Sequence, residues 1–168
     1  MSQPLVGILM GSDSDLPVMV EAKKTCDEFG VVSEVKILSA HRSPAAAIEY
    51  ARSAQARGLK AIICGAGAAA HLAGVVASST ALPVIGVPIQ SGALNGLDAL
   101  LSTVQMPPGI PVATVAVNGA RNAGLLAVQI LGTSDDALRK RFEDFKHALA
   151  AAVERKNETI GQKMRDLD

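Results

Sequence analysis

The charge of this 168-residue chain is gathered at its two ends. Residues 1–60 hold 14 Asp, Glu, Lys and Arg side chains and residues 133–168 hold 16, while the 72 residues between hold only Asp98 and Arg121. A stretch of that length facing water would carry ordinary charged surface, because charged side chains stay in solvent unless paired. Residues 61–132 therefore either cross a membrane or are covered by the fold and by partner subunits. Gly, Pro, Gln, Asn and Ser break the apolar runs there, and none reaches the roughly 20 residues that a membrane span needs. The stretch is expected to be buried sheet plus subunit contact, in an oligomer with no membrane partner.

The 16 basic residues balance 16 acidic ones, and the isoelectric point is near 6.8. A nucleic-acid partner is not expected, since such domains carry a basic excess. One Tyr, three Phe and no Trp leave nothing on which bases or sugars would stack. The length fits a single domain over 1–168, an α/β core over 1–132 followed by a C-terminal amphipathic helix and tail over 133–168. Cys26 and Cys64 make no metal spacing, and Cys64, in the run Ala61-Ile62-Ile63-Cys64, reads as a buried reduced thiol. Met1-Ser2-Gln3-Pro4 leads straight into a strand-like run with no signal-peptide core, so a cytoplasmic location is expected.

Short Val- and Ile-rich runs alternate with Ala-rich segments of helical length. Strands are expected over 5–10, 32–38, 59–64, 83–89 and 111–117. Helices are expected over 16–29, 43–58, 68–81, 94–105 and about 120–131. Gly30 supplies a C-terminal stop, and Ser43-Pro44 a cap and first turn. The strands read as continuous apolar runs, the pattern of parallel strands covered on both faces. Repeated strand–helix units predict a three-layer α/β/α sandwich around a parallel sheet. Beyond Ser134, Leu138, Phe142, Phe145 and Leu149 recur at helical spacing among charges, predicting a long amphipathic C-terminal helix.

In an open parallel sheet, ligands bind beyond the carboxyl ends of the strands. The segments there are Gly11-Ser12-Asp13-Ser14-Asp15, Ser39-Ala40-His41-Arg42-Ser43-Pro44, Gly65-Ala66-Gly67-Ala68-Ala69-Ala70-His71-Leu72 and Gln90-Ser91-Gly92-Ala93. The first reads either as an anion cradle at a helix start or as an ordinary capped helix. Asp15 would repel phosphate and suits sugar hydroxyls better, and no further acid supports a magnesium site there. Arg42 offers a fixed fork of donors to a phosphate, and His41 beside it can move a proton in either direction. Gly65-Ala66-Gly67-Ala68-Ala69-Ala70 mimics a dinucleotide fingerprint. The acid expected about 20 residues later for a ribose is missing, since the next is Asp98. His71 fits a structural role as well as a functional one, and His147 sits among the charges of the C-terminal helix.

These loops, together with Pro83-Val84-Ile85-Gly86-Val87-Pro88 and Ser102-Thr103-Val104-Gln105-Met106-Pro107, occur in the order and at the intervals of one family. Over about residues 4–132 the chain resembles the class I N5-carboxyaminoimidazole ribonucleotide mutases of purine biosynthesis. The resemblance implies a flavodoxin-like sandwich assembled as a homo-octamer, with sites at subunit contacts. It implies interconversion of N5-carboxyaminoimidazole ribonucleotide and 4-carboxy-5-aminoimidazole ribonucleotide with no cofactor: the carbamate releases CO₂, which stays trapped and recarboxylates C4. His41 matches the family histidine that removes the C4 proton. Ser12, Asp15 and Arg42 match its nucleotide-binding residues, with Ser14 and Ser39 as further candidates. Gly67, the small residues around it and His71 would wall the pocket for CO₂ and the base. Rival expectations are a carboxylase using free CO₂ and a non-catalytic flavodoxin-like nucleotide-binding module. The chain departs from the family pattern at Ala68, where glycine is usual, at Ala45, where an acid is common, at Ala73, and in a shorter 118–123 loop.

Overall fold

The computed structural model describes residues 3–165. Five parallel strands, β1 (Val6–Met10), β2 (Ser33–Ile37), β3 (Ala61–Gly67), β4 (Val84–Ile89) and β5 (Ala113–Thr114), form one sheet in the order β2-β1-β3-β4-β5. This is the flavodoxin-like order, and its topological switch point lies between β1 and β3. Helices α1 (Leu16–Glu28) and α5 (Ala120–Gly132) cover one face. The other face carries α2 (Pro44–Ala54), α3 (Leu72–Ala77) and α4 (Leu97–Val104). The expected three-layer sandwich is present, followed by the long helix α6 (Asp136–Arg165).

Alternate residues of the central strands point to opposite faces, so both sides need apolar side chains. Ile8, Met10, Ile63 and Ile85 enter the core beneath α1 and α5, while Leu9, Ile62, Cys64 and Val84 enter the one beneath α2 and α3. Glycine is required where packed elements, helix on helix or helix on sheet, approach closely. A Cβ on Gly124 of α5 would lie 2.8 Å from the Thr25 Cβ of α1, and one on Gly86 of β4 would run into the Thr103 methyl of α4. Phe142 and Phe145 of α6 pack on Phe29, with ring centroids 5.8 and 5.6 Å away. The expected apolar stripe of α6 therefore seats its first half on the domain, whereas Leu149 is half exposed.

Several expected boundaries are corrected. β2 is an edge strand, Ser33-Glu34-Val35-Lys36-Ile37, with Val35 and Ile37 exposed, so only the inner strands are apolar on both sides. β5 shrinks to two residues. Val115 N and Asn118 N still donate to the Gly86 and Pro88 carbonyls, but Pro88 has no N–H to give, and the ladder is loose. β3 stays extended through Gly67, three residues past its expected end, and α3 starts at Leu72 rather than 68. Ala68 has φ +52°, which no right-handed helix accepts. At the other end, the Ser78 and Ser79 hydroxyls both donate to the Val75 carbonyl and close α3 off early.

The charge-poor middle divides in two. β3 and β4 are buried, as expected, but Leu94, Leu97, Leu101 and Val104 leave an apolar face on and beside α4, each 47–59% exposed. Among the described residues no helix is long and apolar enough to cross a membrane.

Candidate active site

The four loops singled out in the sequence meet at the carboxyl end of the sheet. They enclose an open cleft of about 380 Å³ lined by Gly11, Ser12, Ser14, Asp15, Ser39, His41, Arg42, Ala66, Gly67 and Ser91, a volume in the range of small-ligand sites.

The loop after β1 folds on itself. Asp13–Asp15 makes one 3-10 turn, entered by a capping box in which the Ser12 hydroxyl accepts from Ser14 N at 3.4 Å and the Asp15 carboxylate accepts from Ser12 N at 3.1 Å. The Ser12 hydroxyl also donates to Asp13. The capping described by one sequence reading is present in the loop's bonding, and the loop's position makes it a wall of the cleft. Asp15 is mostly buried, and burial pushes its carboxyl above the ordinary carboxylate value. The N–H groups of Ser12 and Gly11, the Ser14 side chain and the charge of Arg42 pull the other way.

The loop after β2 is likewise tied locally. Ser43 Oγ accepts from Ser39 N at 3.0 Å, and Ser39 Oγ accepts from Arg42 N at 3.1 Å. Arg42 then swings over β1, and its Nη2 donates to the Gly11 carbonyl at 2.7 Å while Nε reaches Ser39 Oγ at 3.4 Å. Its Nη1 has no hydrogen-bond partner among the described residues. The guanidinium stands between the cleft and a second hollow of about 350 Å³ lined by Gly11, Ser12, Asp13, Ile37, Ser39, Arg42 and Ser43.

His41 faces across the cleft rim to His71. Its Nε2 lies 2.8 Å from His71 Nδ1, the rings meet edge to face with centroids 4.9 Å apart, and both residues are exposed. One imidazole must donate and the other accept, so a proton placed on either ring has a second ring within reach. His71 is the residue before α3, but its side chain does not cap that helix. His147 lies on the exposed outer surface of α6 and joins no site residue by a hydrogen bond.

Gly67 closes the floor. A Cβ there would sit 2.7 Å from Ser91 Oγ and 3.2 Å from the Ile89 carbonyl, so the cleft depends on the missing side chain. Ser91 lines the cleft without an individual role read from the sequence. The segment Gln90-Ser91-Gly92-Ala93 falls at the right strand end, but no local pattern marks the Ser91 hydroxyl, whose partner is Ala68 N, 23 residues away. The pairing of His41 with His71 spans 30 residues and is equally silent in the sequence.

The cysteines take no part. Cys64 is buried and its thiol is held far above the ordinary range by that burial, while burial pushes Cys26 up to about 11. Both stay protonated, and neither is a nucleophile. Among the described residues no three potential metal ligands cluster.

A family model described as AIR carboxylase matches residues 5–152. The chain is 58% identical to the N5-carboxyaminoimidazole ribonucleotide mutase of Pyrococcus horikoshii, covering 92% of this chain and 87% of that one. It is 55% identical to the chloroplastic phosphoribosylaminoimidazole carboxylase of Vigna aconitifolia, covering 93% of this chain but 28% of that longer protein. The crystal structure of PurE from Treponema denticola superposes with a TM-score of 0.84 at 28% identity, covering 93% of this chain and 98% of that one.

Proposed function

This chain belongs to the AIR carboxylase family, and from that premise we propose that its cleft interconverts N5-carboxyaminoimidazole ribonucleotide and 4-carboxy-5-aminoimidazole ribonucleotide with His41 as the acid/base. The chain is an enzyme of purine biosynthesis, a mutase that moves a carboxyl group within its substrate. The observation that carries the site assignment is the juxtaposition of His41, paired with His71 at 2.8 Å, and the neighbouring Arg42, anchored on Gly11.

The chemistry asks for little more. Breaking the N–CO₂ bond of the carbamate leaves its electron pair on nitrogen, which takes a proton from the His41 imidazolium. The freed amine pushes density through the ring to C4, which attacks the carbon of CO₂ and forms the new C–C bond. His41, now neutral, removes the C4 proton and restores the aromatic ring, so the proton count closes within one turnover. CO₂ must remain in place between the two steps. The close floor of Ala66, Gly67 and Ser91 supports that confinement. Arg42 Nη1 is free to take a phosphate oxygen, Asp15 accepts from the ribose, and Ser12, Ser14 and Ser39 add hydroxyls along the same wall.

We place this site in a homo-octamer. The support is the apolar face of Leu94, Leu97, Leu101 and Val104, which an isolated chain would leave in water; the location we read as the cytoplasm, a reducing compartment that suits the two unlinked buried thiols. The whole of 1–168 is read as one domain.

The test is to give the purified protein N5-carboxyaminoimidazole ribonucleotide and, in parallel, aminoimidazole ribonucleotide with bicarbonate, following the C4 carboxylate. Fast conversion of the carbamate, with the second reaction needing high CO₂, is the expected result. Turnover only of the free amine with CO₂ would make it a carboxylase, the reading favoured by the name of the Vigna relative. Binding with no turnover of either would leave a nucleotide-binding module.

A further inference from the structure

We propose that Ser91 is a positioning residue that sets the His41–His71 contact. The inference rests on the mutase reading of the site and concerns how its proton-moving pair is held. His71 presents its Nδ1 to His41 and has no other side-chain hydrogen bond among the described residues. Its ring is therefore placed by its backbone. That backbone is the short segment 68–71, which carries unfavourable geometry at one end and a helix start at the other.

Ala68 is one of three non-glycine residues with positive φ among those described, at +52°. An L-residue occupies that region only when its surroundings hold it there. The holding contact is Ser91 Oγ, which accepts from Ala68 N at 3.0 Å. The same hydroxyl is wedged against Gly67, where a Cβ would approach it to 2.7 Å. Ser91 is in turn fixed at the end of β4, next to Gln90, whose N donates to Asn118 Oδ1 at 2.9 Å. On the far side of Ala68 there is little slack: Ala70 is buried, His71 N donates to the Ala69 carbonyl at 2.9 Å, and the His71 carbonyl accepts from Val75 N at 3.0 Å. Releasing Ala68 lets the segment relax toward a more favourable φ, and the His71 ring moves with it. Only the acceptor side of the Ser91 hydroxyl is used, and it contributes to catalysis through the turn.

The discriminating experiment combines Ser91→Ala with Ala68→Gly, because glycine adopts the left-handed conformation unaided. In the native background, Ser91→Ala should lower kcat by about tenfold, the scale of a small misplacement of a catalytic group. KM for the carbamate substrate should stay within about twofold, and the nuclear Overhauser contact between the His41 and His71 ring protons should disappear. Ser91→Thr, which keeps the oxygen, should restore both. In the Ala68→Gly background, the loss from Ser91→Ala should shrink to less than about threefold. Three results would overturn the proposal: native kcat with the ring contact intact in Ser91→Ala, an equal loss in both backgrounds, or a rise in KM alone. An equal loss would mean that the hydroxyl touches the substrate directly. If Ser91→Ala fails to fold by circular dichroism, Ser91→Thr and the double variant carry the same comparison. A native protein that turns over no substrate would defeat the mutase reading, whereas the ring contact in native and Ser91→Ala protein would still decide the role of Ser91.

Discussion

Inside the loops after β1 and β2, backbone N–H groups bond to side chains at most four residues away, Ser12 N to Asp15, Ser14 N to Ser12, Ser39 N to Ser43 and Arg42 N to Ser39, and only the Arg42 and His41 side chains reach farther, to Gly11 and His71. The loops after β3, β4 and β5 are held the opposite way. Ala68 N reaches Ser91 across 23 residues, and Gln90 N reaches Asn118 across 28. The three non-glycine residues of positive φ among those described, Ala68, Asn95 and Asn118, all lie on this side. The half proposed to hold the ribonucleotide is thus shaped by the short-range preferences of Ser and Asp at turns and caps. The half proposed to confine CO₂ and to support the proton-moving pair exists only once the sheet has assembled. Binding should therefore survive damage that chemistry does not.

The largest effect expected from breaking that division is at His41, which touches both halves. His41→Asn should cost at least about a hundredfold in kcat, the lower range for loss of a positioned acid/base, with KM for the ribonucleotide little changed. Single-turnover measurement on the carbamate checks this, and native turnover would remove His41 from its role. Next comes Arg42→Ala, which should weaken ribonucleotide binding by about 1.5–3 kcal/mol, the cost of a hydrogen bond to a charged group. Arg42→Lys should recover only part of that loss, since an ammonium cannot hold Gly11 and a phosphate with one planar fork. Calorimetric titration with aminoimidazole ribonucleotide reads both, and unchanged affinity would refute the phosphate assignment.

The same division explains what the sequence disclosed. The cleft positions of Ser12, Asp15, Ser39, His41 and Arg42 are legible because each follows a strand that hydrophobic runs make visible, and because turn and cap residues keep their local habits. The sheet was legible for a similar reason at β1, β3 and β4, whose apolar runs serve two buried faces. It was less so at β2, where the Glu34 carboxylate accepts from Tyr50 and pairs with Arg57 at 2.6 Å on an exposed edge. The start of α3 was misplaced because 68–71 is Ala-rich and reads as helix by propensity. Ala68 takes its left-handed φ from a hydroxyl 23 residues away, and propensity carries no information about that. The pairing of His41 with His71 was hidden likewise, since only the strand order brings the ends of β2 and β3 to one rim.

A smaller effect should come from filling the floor on the long-range side. Gly67→Ala would bring a methyl to 2.7 Å from Ser91 Oγ and 3.2 Å from the Ile89 carbonyl, and the carbonyl belongs to β4 and cannot turn aside. Overpacking of this kind costs about 1–3 kcal/mol of stability. Because the displaced hydroxyl is the one that holds Ala68, kcat should fall with it while ribonucleotide affinity stays near native. Denaturant unfolding and kinetics on the same preparation test the pair of outcomes. Lost affinity with unchanged turnover would contradict the division of the rim.

The smallest effect is expected within the locally tied half, at Asp15, where burial opposes several contacts that favour the ionised form. Burial raises its carboxyl above the ordinary value of 3.8, while the Ser12 and Gly11 N–H groups, the Ser14 side chain and the Arg42 charge favour the ionised form. Since the net shift is upward, the folded state holds the Asp15 proton more tightly than the unfolded chain does. Its contribution to stability is therefore fully present below about pH 3.8 and is lost as the pH rises through the raised folded value. Asp15→Asn keeps an oxygen to accept from Ser12 N at the capping box but carries no charge to bury. The variant should melt slightly above the native protein at pH 7, and the gap should close as the pH falls through the carboxylate range. Its ribonucleotide affinity should drop at the same time, which separates the ligand role of the carboxylate from its part in the cap. Melting curves from pH 3 to 8 decide the matter: a native protein more stable than Asp15→Asn at neutral pH would mean that the accepted hydrogen bonds outweigh burial.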